Sequence, residues 1–362
     1  MALLKEIRDN PLLWLLALVP VVLITEVLRP DAHTLLFILS VLAIVPLAAL
    51  LSHATESVAA RTGDAVGGLL NATLGNLTEL IIALAALRAG QYVLVKASIA
   101  GAIVANSMFM LGASFLLGGL KYHMQEYNRN NARLQAGLLF LATIAILVPS
   151  VLGGNDSPAF AKMTVTLSLA LSILLIAIYG LGLLFSLKTH RDFFAGGDHG
   201  ETDGEWPLGL ALTTLAGVTV LVALVSEVFV ESVQQAGTAL GLSPAFVGFV
   251  IVALVGAAAE MATAFSAARK NRLDLSVGIA LGSAVQIALF VAPILVLISY
   301  IIGPMPMDLQ FWPGAVAMML IAAMTASLVS NTGRSAWFVG ALVVTVYTIF
   351  AMTLYLLPPR VR

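Results

Sequence analysis

The chain has 362 residues; 10% are charged and 60% apolar, where soluble domains hold roughly a quarter charged and roughly 45–50% apolar. A mean hydropathy of +1.01 and a net charge of −1 exclude a disordered chain, a nucleic-acid binder and a water-exposed globule. Cysteine is absent, which excludes disulfides, thiolate metal sites and a cysteine nucleophile. What remains is an all-α polytopic protein whose surroundings are a lipid bilayer.

A membrane-crossing helix needs about 20 mostly apolar residues. The chain supplies about eleven such stretches: 12–28, 35–55, 67–87, 93–119, 134–152, 161–187, 208–230, 244–268, 274–302, 311–330 and 335–357. No small-residue cleavage site follows the first, so it reads as a span and not as a signal peptide. Breaks at Arg29-Pro30-Asp31, Gly153-Gly154-Asn155-Asp156, Gly303-Pro304 and Asn331-Thr332-Gly333-Arg334 carry turn chemistry. Residues 188–207, with Asp192, Asp198, Glu201, Asp203 and Glu205, read as an acidic, flexible linker near the middle of the chain. Its His190 and His199 show no metal-ligand spacing.

Basic residues orient the spans. Twelve fall on the N-terminal side (Lys5, Arg8, Arg61, Lys121, Arg129, Arg133, Lys188, Arg191, Arg269, Lys270, Arg272 and Arg334), and six fall on the other (Arg29, Arg88, Lys96, Lys162, Arg360 and Arg362). The positive-inside rule then predicts a cytoplasmic N-terminus and acidic linker with the C-terminus outside, in the plasma membrane if the source is prokaryotic.

Glu79 and Glu260 stand near the middle of the third and eighth spans, where a charge is costly and an acid is functional by default. Their surroundings match: GNLTEL (75–80) and GAAAEM (256–261). Each acid has a glycine four residues before it (Gly75, Gly256) and another 22 residues after it (Gly101, Gly282). A carboxamide follows soon after, Asn106 in one case and Gln286 in the other, with the spacing drifting by one position. This is an internal repeat.

Helical spacing puts Ala72, Gly75, Asn76, Glu79, Ala83 and Ala86 on one face, and Ala253, Gly256, Ala257, Glu260, Ala264 and Ala267 on another. Each acid therefore sits on a stripe of small residues that lets helix backbones approach closely. Five spans separate the acids, so the repeats cross the membrane in opposite directions, with helices interrupted beside the acids. Two facing carboxylates, backbone carbonyls, Asn106, Gln286, Thr78 and Ser283 suit a hard cation such as Ca²⁺ rather than a soft metal. Emptied, the same carboxylates would take up protons, because a bare charge in a dry interior is strongly disfavoured. Cation in one state and protons in the other predicts an exchanger.

The run ATESVAARTGDAVGGLLNATLGNLTELIIALAAL (54–87) closely resembles the first repeat of the cation/proton exchangers of the calcium/cation antiporter superfamily. LKTH (187–190) resembles that group's entry into an acidic cytoplasmic loop, and NRLDLSVGIALGSAVQIALFVAPILVL (271–297) resembles its second repeat. The resemblance covers spans 2 to 11. It implies an extra N-terminal helix (1–33), a first five-helix repeat (34–187), the linker (188–207) and an inverted second repeat (208–362). It also implies that Glu79 and Glu260 bind the cation, and that Ca²⁺, sometimes another cation, is exchanged for H⁺ with no cofactor. Ala257 and Met261 stand where the family usually has Asn and His, and Ala102 stands where it usually has Ser.

Glu56, Glu227 and Glu231 form a second tier of acids, placed either along an ion path or at water-exposed helix ends. No H-E-x-x-H or G-x-S-x-G motif marks an intramembrane enzyme. A channel could use the same acids as a ring, but acids in inverted repeats imply alternating access. Inorganic cations, protons and lipid are the expected partners, and self-association is compatible with the sequence.

Overall fold

The computed structural model describes residues 6–8, 10–62, 64–152, 158–190 and 206–359. Most of the acidic linker and the Gly153–Asp156 turn lie outside the described residues. The helices are α1 (Pro11–Leu28, opening with a 3₁₀ stretch), α2 (His33–Arg61), α3 (Asp64–Leu74), α4 (Leu77–Arg88), α5 (Tyr92–Tyr122), α6 (Arg129–Leu152) and α7 (Pro158–Leu184). They continue with α8 (Leu208–Leu240), α9 (Pro244–Gly256), α10 (Ala258–Arg269), α11 (Leu273–Ile302), α12 (Pro313–Ser330) and α13 (Trp337–Leu356).

Among the described residues nine helices are long and apolar enough to cross a membrane, and the bent pairs α3–α4 and α9–α10 bring the count to eleven. The chain is a multi-pass membrane protein.

Two helices run past the ends that hydropathy assigns to them. α2 continues to Arg61 and α8 to Leu240, because polar residues end an apolar window without ending a helix. α8 stops at Gly241, whose φ of +69° suits glycine at a helix C-terminus. α2 and α8 lie along each other over much of their length. A short antiparallel ribbon interrupts the all-α pattern: β1 (Met124–Glu126) pairs with β2 (Arg334–Ala336), and Glu126 meets Arg334 at 2.9 Å.

The repeat is visible element by element. α4 and α10 begin at Leu77 and Ala258 and end at Arg88 and Arg269, and α5 and α11 begin at Tyr92 and Leu273, each pair 181 positions apart. The turns between them carry left-handed residues at equivalent places, Gly90 (φ +71°) and Asn271 (φ +59°). Glycine and asparagine are the residues that enter this region most cheaply. Wide π-type turns follow in register, Ala105–Met110 in α5 and Ile287–Val291 in α11. The register therefore does not slip before the amides. The two-fold mate of Asn106 is Ile287, and that of Gln286 is Ala105, so the sequence reading that paired Asn106 with Gln286 is corrected.

Candidate cation-binding site

Both bent pairs break beside their acid. Between α3 and α4 the chain turns by 41°, with Gly75 N–H still donating to Asn71 O and Asn76 occupying the corner. Between α9 and α10 it turns by 58° at Ala257. Glu79 and Glu260 then fall in the first turns of α4 and α10, where the free N–H groups and helix dipole favour negative charge.

Small residues at the breaks let the repeats interlock. A Cβ on Gly256 would lie 2.8 Å from Glu79 Cγ, and one on Gly75 would lie 3.2 Å from Gln286 Oε1. Each glycine is thus a seat for a side chain of the other repeat, and any larger residue would displace it.

A chain of buried amides and a hydroxyl crosses between the repeats. Asn106 Nδ2 donates to Ser283 Oγ (2.8 Å), and Ser283 Oγ donates to Asn76 Oδ1 (2.7 Å). Ser283 is also within hydrogen-bonding reach of Glu260. Thr78 is buried in the same first turn as Glu79.

Five polar atoms of this cluster have no partner: Glu79 Oε1, Glu260 Oε2, Asn106 Oδ1, Asn76 Nδ2 and Gln286 Nε2. Three are oxygens, and a half-turn of the Gln286 amide presents another, whereas Asn76 is held by the Ser283 hydroxyl. Unpaired buried polar groups are costly, so a set of them converging on two carboxylates fits a bound cation. Among the described residues no group of three or more His, Cys, Asp or Glu gathers. Two carboxylates and neutral oxygens together would make a donor set that suits a hard cation.

The two acids are placed differently. Glu260 lines a cavity of about 490 Å³ with Asn71, Gly75, Gly282, Ser283 and Gln286. Glu79 is not part of that lining and sits behind it, against Gly256. The cavity runs toward the face where α2, α7 and the β ribbon end, past Glu56, Ser186 and Asp274. Glu56 is exposed on its wall and accepts from Ser52 Oγ at 3.3 Å.

Glu227 and Glu231 are brought elsewhere. Glu227 pairs with Arg88 at 3.1 Å at the opposite face, with both side chains well exposed, and Glu231 is exposed one turn further along α8.

The family description "Sodium/calcium exchanger protein" matches residues 32–188 and 210–356. The chain belongs to this family. It is 39% identical over 359 residues to the Ca(2+)/H(+) antiporter of Aphanothece halophytica, covering 95% of this chain and 96% of the relative. It is 40% identical over 330 residues to the Ca(2+)/H(+) antiporter ChaA of Bacillus subtilis (strain 168), covering 89% of this chain and 92% of the relative. The solved structure of native YfkE superposes with a TM-score of 0.84 at 36% identity, covering 96% of this chain and 100% of that one. Membership of the sodium/calcium exchanger family makes the chain a transporter rather than an enzyme.

Sequence reasoning passed over two residues of this exchanger's cavity. Asp274 accepts the Asn128 N–H at 2.8 Å, and Tyr179 donates to Ala72 O while its ring lies 5.6 Å from that of Phe290. Neither has a partner at helical spacing, so only the folded chain reveals them.

Proposed function

We propose that this chain exchanges Ca²⁺ for H⁺ by alternating access, with Glu79 and Glu260 as the shared site of cation and proton. The supporting observation is the pair of carboxylates from opposite repeats, each with an unpaired oxygen and one of them open to a cavity. The names of the relatives, Ca(2+)/H(+) antiporters along nearly the whole chain, support the same ions.

Asn76, Thr78, Asn106, Ser283 and Gln286 supply neutral ligands or hold them in place, and Gly75 and Gly256 make room for them. Glu56 lies on the path into the cavity. The organisation is an N-terminal helix (1–33), repeats 34–187 and 208–362, and a linker (188–207). The cavity, the N-terminus and the linker are cytoplasmic by the distribution of Lys and Arg.

Cation and protons compete for the same oxygens, so occupancy by one excludes the other. Proteoliposomes with an imposed pH gradient test this. Ca²⁺ uptake should be driven by an outward proton gradient and should saturate. Uptake driven by Na⁺ and indifferent to pH would make the chain a sodium/calcium exchanger instead.

A further inference from the structure

The two-fold register exposes an imbalance in the site. Glu79 and Glu260 are mates, as are Gly75 and Gly256, and Gly101 and Gly282. The neutral ligands are not matched in this way. Asn76 has Ala257 as its mate, Ser283 has Ala102, and Asn106 has Ile287, each pair 181 positions apart. The hydrogen-bonded chain Asn76–Ser283–Asn106 therefore has a counterpart, Ala257–Ala102–Ile287, with no polar side chain at any position. All three of those residues are buried: Ala257 at 0%, Ala102 at 2% and Ile287 at 1% exposure.

The two alanines are related as a pair. Ser283 comes from the second repeat and Asn76 from the first, so the two-fold operation exchanges them for Ala102 and Ala257 on opposite repeats. The last turn of α9, which leads directly into Ala257, packs on the part of α5 that carries Ala102. Removing both partners of a buried hydrogen bond is nearly neutral, whereas removing one strands the other. A chain with only one of the two polar groups would bury an orphan; this one has neither.

We propose that Ala102 and Ala257 act as one unit, the emptied mate of the Asn76–Ser283 hydrogen bond, confining neutral cation ligands to the Glu260 side and setting the affinity for Ca²⁺. Glu79 is seated on Gly256, next in the chain to the emptied position Ala257, which offers it no polar side chain. The inference deepens the exchange reading and rests on it for the identity of the ion.

The test is a double-mutant cycle on the full-length protein in detergent with Ala102→Ser, Ala257→Asn and the double variant. Melting temperature is measured in EDTA, and ⁴⁵Ca²⁺ binding by titration. Ala257→Asn by itself should lower the melting temperature by about 2–4 °C, and the double variant should recover at least half of that. Ca²⁺ affinity should rise about tenfold in the double variant and less than about threefold in either single variant.

Equal affinity gains in Ala257→Asn and in the double variant, or additive melting shifts, would overturn the pairing. The native pair is the control should the new variants fail to fold: Asn76→Ala and Ser283→Ala must be less than additive in EDTA, and additivity there also overturns the proposal. Wild-type protein that binds no Ca²⁺ defeats the exchange reading, and the EDTA cycle still decides the pairing.

Discussion

The two faces of the molecule differ in how the repeats meet. On one side α9 lies so close to α5 that a Cβ on Gly101 would fall 2.2 Å from Phe249 O, and one on Gly248 would fall 2.6 Å from Ala97 Cβ. On the other side the equivalent pair, α3 and α11, stands apart. Gly282, the mate of Gly101, has nothing within 4 Å, and Gly278, the mate of Ala97, has only Asn131 Nδ2 at 4.0 Å. The cavity occupies that gap, lined by Gly68 and Asn71 of α3 and by Gly278 and Gly282 of α11. Gly101 is thus sealed at one face while its mate Gly282 stands open at the other. The difference lies in the state the molecule has adopted, and closing one side as the other opens is what alternating access requires.

The largest expected effect comes from removing what both faces serve. Glu79→Gln and Glu260→Gln each keep the shape and hydrogen bonding of the acid but delete a charge the cation needs. Each should lower Ca²⁺ flux in proteoliposomes by about 100-fold or more while leaving the melting profile near that of wild type. Near-normal flux in either variant defeats the two-carboxylate site.

A methyl group at the matched glycines should push the two faces in opposite directions. Gly101→Ala places a carbon against Phe249 O and should disfavour the sealed face by about 1–3 kcal/mol, shifting the molecule toward the opposite opening. Gly282→Ala meets nothing in the present state, and by symmetry it should obstruct the other one. The chain has no cysteine, so a single Ser186→Cys in the cavity wall is a clean probe. Thiol labelling at that position should fall in Gly101→Ala and rise or hold in Gly282→Ala. Matching changes in both would mean that the glycines serve packing alone.

Protons sharpen the comparison at the open face. Each proton bound to the carboxylates competes with Ca²⁺, so acidification should weaken binding, by up to about tenfold per pH unit for each proton displaced. Addition of Ca²⁺ to weakly buffered protein should correspondingly release protons, and the double variant Glu79→Gln/Glu260→Gln should release none. Affinity that stays flat as pH is varied, with transport intact, would point to Na⁺ as the counter-ion.

The smallest effect is expected at the sealed face, from Glu227→Gln. Its partner Arg88 is 72% exposed and Glu227 50%, and an exposed ion pair is worth no more than about 0.5 kcal/mol after solvent screening. Flux should stay within about twofold of wild type, and a loss comparable to that of Glu260→Gln would place Glu227 on the ion path.

Much of this protein was legible in the one-dimensional pattern. Bilayer solvent forces backbone groups to pair internally, so apolar length alone yields the eleven passes. An acid in such a stretch is too costly to be incidental, so Glu79 and Glu260 stand out without any coordinates. The glycine spacing around each acid reveals the repeat, and the odd number of spans between them reveals its inversion.

Three features needed the folded chain. Hydropathy cannot tell a straight span from two half-helices; the glycines beside the acids lead to the expectation of an interruption, which the bends bear out, but their angles of 41° and 58° needed the folded chain. The pairing of Asn106 with Gln286 looked sound in the sequence, and only the matched boundaries of α5 and α11 show that their true mates are Ile287 and Ala105. Which face stands open depends on the distance between α3 and α11 against that between α9 and α5. The side chains of the two pairs differ as well, with Asn71 and Thr73 of α3 standing where α9 has Val252 and Leu254, but the separation of the helices is set by packing between repeats, which no local pattern of residues encodes.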